Sequence, residues 1–165
     1  MRIGRSSSSA GKTQVVVLTA DPGFEEQARL TFGASEQIAL TVISGTLSDL
    51  EGKFDVEEAT VAVIDLDAAN AAEMPALERL MARIGARTPV IAITPAFDET
   101  VARALVQMRV ADFLVKPVSP VELVRTCARV AKGAQPTETT EAKIYTFLPA
   151  VGGAPVLLRW QYKAR

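Results

Sequence analysis

Histidine is absent from the 165 residues, and cysteine occurs once, as Cys127. The first absence removes Ser-His and Cys-His triads, His-ligated metals and ordinary imidazole acid–base chemistry. The second removes any internal disulfide and any zinc-type ligand spacing, and it points to a reducing compartment. Aromatic residues make up only 5%. No apolar run approaches the roughly 20 residues that a bilayer span needs. The opening MRIGRSSSSAGKT carries two arginines without the apolar stretch of a signal peptide. Eighteen basic residues against nineteen acidic ones leave a net charge of −1, so nothing global draws the chain to nucleic acid or membrane. Together these absences read as a cytoplasmic protein.

What is present is a globular composition, 48% hydrophobic and 22% charged, long enough for one ordinary domain with a real core. Residues 1–13 are rich in serine and read as a flexible leader. Ala10-Gly11-Lys12-Thr13 imitates the end of a phosphate-binding loop, but Ser6 stands where its first glycine belongs and no strand precedes it. From Gln14 the pattern is regular. The runs Val15–Leu18, Val61–Ile64, Val90–Ile93 and Phe113–Val115 are short and continuously apolar, as strands buried on both faces of a parallel sheet are. Ile38–Ile43, interrupted by Thr41, reads as an edge strand.

Helical patterns fill the gaps at 23–33, 72–84, 98–108 and 119–132, the last opened by Ser119 as a cap with Pro120 at the first helical position and Glu122 at the third. Met74, Leu77, Met81 and Ile84 form one stripe, and Val124, Cys127 and Ala131 another, with Cys127 as a small core residue. Residues 45–58 suit a short helix or a loop. Strand and helix alternate five times, which argues an α/β doubly wound fold. Residues 133–142, GAQPTETTEA, are polar and aperiodic and read as a linker.

In an open parallel sheet the functional crevice lies at the carboxyl ends of the strands. The runs there close on Thr19-Ala20-Asp21, Asp65, Thr94 and Lys116-Pro117. An aspartate, a threonine and a lysine from separate strands converge. Through Val63-Ile64-Asp65-Leu66, Pro89-Val90-Ile91-Ala92-Ile93-Thr94 and Asp112-Phe113-Leu114-Val115-Lys116-Pro117, residues 14–132 resemble a response-regulator receiver domain of two-component phosphorelays. The resemblance implies a flavodoxin-like five-stranded parallel sheet, order 2-1-3-4-5, with helices on both faces. It puts Asp65 at the phosphoacceptor position, Thr94 and Phe113 at the switch positions and Lys116 at the lysine such domains carry.

Two departures bear on that site. Receivers place an acidic pair after the first strand, where this chain has Thr19 and Ala20; Asp21 lies one residue further on, and Asp67 follows the acceptor by two. Arg109 stands where the fourth helix of a receiver usually ends in glycine. A cation at the acceptor needs hard oxygen ligands, for which Asp21, Asp65 and Asp67 are the candidates. One reading is a phosphorylatable switch, with Asp65 phosphorylated in the presence of Mg²⁺. The reading favoured here is an atypical receiver without cofactor, in which Asp65 and Lys116 form a structural ion pair, because one displaced carboxylate does not restore near-octahedral geometry.

After the linker, Ile144-Tyr145-Thr146-Phe147-Leu148 and Gly152-Gly153-Ala154 resemble the first strand and glycine loop of ParA/MinD-type ATPases, with Val151 in place of the signature lysine. A receiver followed by such a strand resembles the CpaE/TadZ family of Flp (tight adherence) pilus-assembly proteins. That family implies a non-enzymatic domain for regulation and protein interaction. Its partners would be pilus-assembly or polar-localisation proteins, its place the cytoplasm at the cell pole. Self-association would run through the fourth helix, fifth strand and fifth helix, at 98–108, 113–115 and 119–132. Arg103, Arg109, Arg125 and Arg129 lie there beside Asp98, Glu99, Asp112 and Glu122 as candidate cross-subunit pairs.

Beyond Ala154 the likeness stops. Codons CCG GTG TTA CTA CGC TGG CAA TAC AAA GCG would encode Pro155 to Ala164, and from the third base they read GGT GTT ACT ACG CTG GCA ATA CAA AGC. That is Gly-Val-Thr-Thr-Leu-Ala-Ile-Gln-Ser, a continuation of the loop and its helix. Residues 143–165 are therefore expected to be the start of a truncated or frame-shifted ATPase domain with no functional nucleotide site.

Overall fold

A computed structural model describes residues 12–134, apart from 51, 54, 55, 57 and 68. The expected linker core and the ATPase-like tail lie outside the described residues, as does nearly all of the expected leader. The elements run β1 (Thr13–Thr19), α1 (Pro22–Gly33), β2 (Ile38–Ser44), β3 (Val61–Asp65), α2 (Glu73–Ile84), β4 (Val90–Thr94), α3 (Glu99–Gln107), β5 (Asp112–Val115) and α4 (Pro120–Ala134). β1 takes its first residue from the expected leader, and α4 takes two from the expected linker.

All strands are parallel, in the order β2-β1-β3-β4-β5. Every residue of β3 and β4 is buried, which is why their sequences carry no polar alternation. β2 has no buried residue and lies at one edge, as the interrupted run suggested. Successive strand residues face opposite layers. Val17, Val63, Ile91 and Ile93 pack with Phe24, Phe32, Leu123 and Val130 of α1 and α4. Leu18, Ile64 and Ala92 pack with Leu77, Ile84 and Leu105 of α2 and α3.

Helix boundaries follow their caps. Asp21 accepts from the amides of Gly23 and Phe24, starting α1 one residue earlier than the spacing suggests. Asp98 accepts from Val101 N, and Ser119 Oγ from Glu122 N, the expected cap. α3 ends in a Schellman arrangement, Val110 N to Leu105 O and Arg109 N to Val106 O, with Arg109 at φ 60°. Arg109 is the one non-glycine residue at positive φ among those described. The left-handed geometry explains why glycine suits this position.

One sequence expectation needs correcting in detail. The buried stripe of α4 is Leu123, Thr126, Cys127 and Val130, while Val124 is 39% exposed, one step off the packed face. Of the two alternatives for 45–58, the loop is the one found: residues 45–50 form turns, and no helix occurs among the described residues of 45–60. The turn opens at Gly45, φ 144°, where a Cβ would approach Leu50 Cδ1 to 2.8 Å. Glu73, only 1% exposed, holds the turn by accepting from Ser48 N at 2.9 Å and Leu47 N at 3.3 Å.

Candidate functional site

The strand order reverses between β1 and β3, and a cavity of about 250 Å³ opens at the carboxyl ends of the strands there. Ala20, Asp21, Asp65, Asp67, Pro95 and Lys116 are among its lining residues. Asp65 closes β3 and is 8% exposed. Its Oδ2 accepts the Thr19 hydroxyl at 2.6 Å and the Lys116 ammonium at 2.8 Å. The same ammonium reaches Asp21 Oδ2 at 2.8 Å and stands 5.4 Å from the ring centroid of Phe24. Thr19, fully buried at the end of β1, accepts from Asp21 N at 3.0 Å, so its own proton points to Asp65.

The electrostatics follow from this three-way bridge. The hydrogen bond from Lys116 holds the Asp21 carboxyl below the usual carboxylate range against a smaller desolvation effect, with help from the Phe24 and Gly23 amides. Partial burial pushes the Lys116 ammonium down, but its bonds to Asp21 and Asp65 outweigh this and leave its pKa raised. Lys116 thus stays charged across the neutral range.

Asp21 and Asp65 are therefore brought together, but by a lysine. Asp67 is exposed on the cavity wall, and its Oδ1 accepts from Ala69 N at 3.0 Å in the turn after β3. Among the described residues no three acidic or cysteine side chains group as a metal centre would. The expected Asp21, Asp65 and Asp67 set thus does not fit Mg²⁺ in this arrangement: the ammonium takes one oxygen each of Asp21 and Asp65, Thr19 presents a proton to the same Asp65 oxygen, and Asp67 is held in its own turn.

Thr94 closes β4, nearly buried, and its carbonyl accepts Lys116 N at 2.9 Å, which seats the lysine over the crevice. Phe113 is half-buried on β5 and stacks on Phe97, ring centroids 6.5 Å apart at 29°. Phe97 is 67% exposed and escaped the sequence reading, because a lone aromatic in a loop has no periodic signal. On the α3–β5–α4 face, Arg103 pairs with Glu99 at 2.8 Å, Arg129 with Asp112, and Asp98 caps α3. Much of the charge expected to cross between subunits is thus engaged within the chain.

Solved structures share this fold. The signal receiver domain of a LuxO repressor protein from Vibrio parahaemolyticus is 18% identical, with 79% of this chain and 98% of that chain covered and a TM-score of 0.64. The fold is the receiver fold. A pilus assembly-related protein from Burkholderia pseudomallei matches at 20% identity over 74% of this chain and 91% of that chain, TM-score 0.63. A pilus assembly protein (cpaE) from Burkholderia thailandensis matches at 19% over 72% and 98%, TM-score 0.62. No family model and no curated protein matches the sequence. No described helix is long and apolar enough to cross a membrane.

Proposed function

We propose that this chain is a non-enzymatic regulatory and interaction domain that uses the receiver fold without phosphorylation, in pilus assembly and polar localisation. The observation that supports it most is the Lys116 ammonium shared by Asp65 and Asp21, each at 2.8 Å, with the Thr19 hydroxyl on the same Asp65 oxygen. The Asp65 oxygen that Lys116 and Thr19 share is a poor nucleophile, because two donors engage its lone pairs and attack on phosphorus also calls for a cation to neutralise the incoming charge. The pilus-assembly names of two structurally similar proteins support the setting. The partners in this reading are pilus-assembly or polar-localisation proteins and a second copy through α3, β5 and α4. Residues 143–165 are read as the start of an ATPase domain, truncated or frame-shifted. Sequencing the gene tests that part, and an in-frame stop with no downstream ATPase frame would sink it.

The phosphoacceptor reading has its own support, since Asp65, Thr94 and Lys116 all meet at the strand ends. Acetyl phosphate with Mg²⁺ separates the two. Intact-mass measurement is expected to show no phosphoryl adduct on the full chain. An adduct that disappears in Asp65→Ala would restore the phosphoacceptor switch.

A further inference from the structure

We propose that Thr19 is the residue that closes the Asp65 site to divalent cations, a deepening that rests on the phosphorylation-independent reading above. The site does not lack acid: Asp21, Asp65 and Asp67 all line the same cavity. What sets it apart is Asp65 Oδ2, an oxygen that two donors already share. The Thr19 hydroxyl receives the Asp21 amide at 3.0 Å, which fixes its orientation, and so it donates to Asp65 Oδ2 at 2.6 Å. A cation approaching that oxygen meets a hydroxyl proton and an ammonium at once.

Displacing Lys116 alone would not clear the way. The ammonium would give up two 2.8 Å carboxylate contacts and its place near the Phe24 ring, and the Thr19 proton would still stand on Oδ2. Ala20 contributes no ligand atom from its side chain. Hard cations such as Mg²⁺ and Mn²⁺ require oxygen lone pairs in a nearly fixed geometry, so a donor in the ligand position is worse than a gap. Exclusion therefore depends on the hydroxyl at position 19 more than on the missing carboxylate at position 20.

The test is Mn²⁺-induced broadening of the Asp65 and Asp21 amide resonances in the full chain. The wild type is expected to show no saturable, site-specific broadening. Thr19→Asp is expected to broaden both signals saturably, since it supplies a carboxylate and removes the proton. Ala20→Asp, with the hydroxyl intact, is expected to behave as the wild type. Thr19→Ala, which only removes the donor, is expected to fall between them and decides the matter if Thr19→Asp does not fold. Saturable broadening in the wild type that is lost in Asp65→Asn would overturn the proposal. So would an Ala20→Asp response equal to that of a folded Thr19→Asp, or a Thr19→Ala response no different from the wild type. These outcomes stand apart from the acetyl phosphate result: an adduct without cation binding overturns the phosphorylation-independent reading and leaves the role of Thr19 intact, whereas cation binding without an adduct does the reverse.

Discussion

Among the described residues two carboxylates sit almost out of reach of water, Glu73 at 1% exposure and Asp65 at 8%, and the protein holds them by different means. Glu73 faces the backbone amides of Leu47 and Ser48, so it clips the turn after β2 to the start of α2. Asp65 faces side chains, the Thr19 hydroxyl and the Lys116 ammonium. A backbone amide cannot withdraw while the turn stays folded; a lysine can swing away or be replaced by evolution in one step. The first acid is a fixture of the fold, and the second is adjustable. Burial of an acid therefore says little about function until its partners are named.

Breaking the fixture should cost most. Glu73→Ala leaves two amide N–H groups without their acceptor and is expected to lower stability by about 2–3 kcal/mol, read as a lower urea midpoint at unchanged slope. A change below about 0.5 kcal/mol would mean that water replaces the carboxylate freely and that the contrast between the two acids is false.

Lys116→Met should come next, at about 1–2 kcal/mol, because it strands the Asp65 charge while water screens a site whose lysine side chain is 25% exposed. Asp65→Asn removes that buried charge and keeps an acceptor for Thr19, so it should cost less, under about 1 kcal/mol. The reverse ranking would show that Lys116 is not what holds Asp65.

The pH profile sharpens the same point. Asp21, with its pKa lowered in the fold, contributes stability above the ordinary aspartate value of about 3.9 and loses it as pH falls through the lower folded value. Lys116, with its pKa raised, contributes below about 10.4 and loses it as pH rises through the higher folded value. Melting temperatures of the wild type and Lys116→Met should therefore differ most between these limits and converge toward both extremes.

Smaller effects mark the boundary of both regions. Arg109→Gly relieves the positive φ at the end of α3 and should add about 0.5–1 kcal/mol by chemical denaturation. Asp67→Ala, which loses one exposed turn contact to Ala69, should cost no more than about 0.5 kcal/mol. A larger loss would place Asp67 inside the Asp65 network.

These two acids also show how far the sequence could be read. Val61–Ile64 and Val90–Ile93 announced central strands because burial on both faces leaves no polar alternation, and the order of the sheet agreed with the resemblance. Asp65 and Lys116 were legible because side-chain partners occupy fixed strand ends. Glu73 was not, since its partners are amides that every residue carries. Asp21 was read as a metal candidate, whereas its Oδ1 caps α1 and its Oδ2 holds Lys116, two duties that spacing alone does not separate. At 45–58, Leu47 and Leu50 have helical spacing, but Gly45 demands a turn there. In α4 the error was one residue of phase, Val124 for Leu123, which is all that separates the packed face from solvent on a helix.

Cys127 gives the molecule a stopwatch. It is the sole thiol of the chain, 5% exposed between α4 and the sheet, and burial pushes its pKa up to about 12. A buried thiol in that state does not react, so an alkylating reagent must wait until the layer containing Phe24, Phe32 and Leu123 opens. The rate at which a single label appears thus follows the opening of that half of the molecule, with no second site to confuse the reading. Any partner that settles on α4 and slows its opening would lengthen the delay, and the chain would report its own binding through a residue the partner never touches.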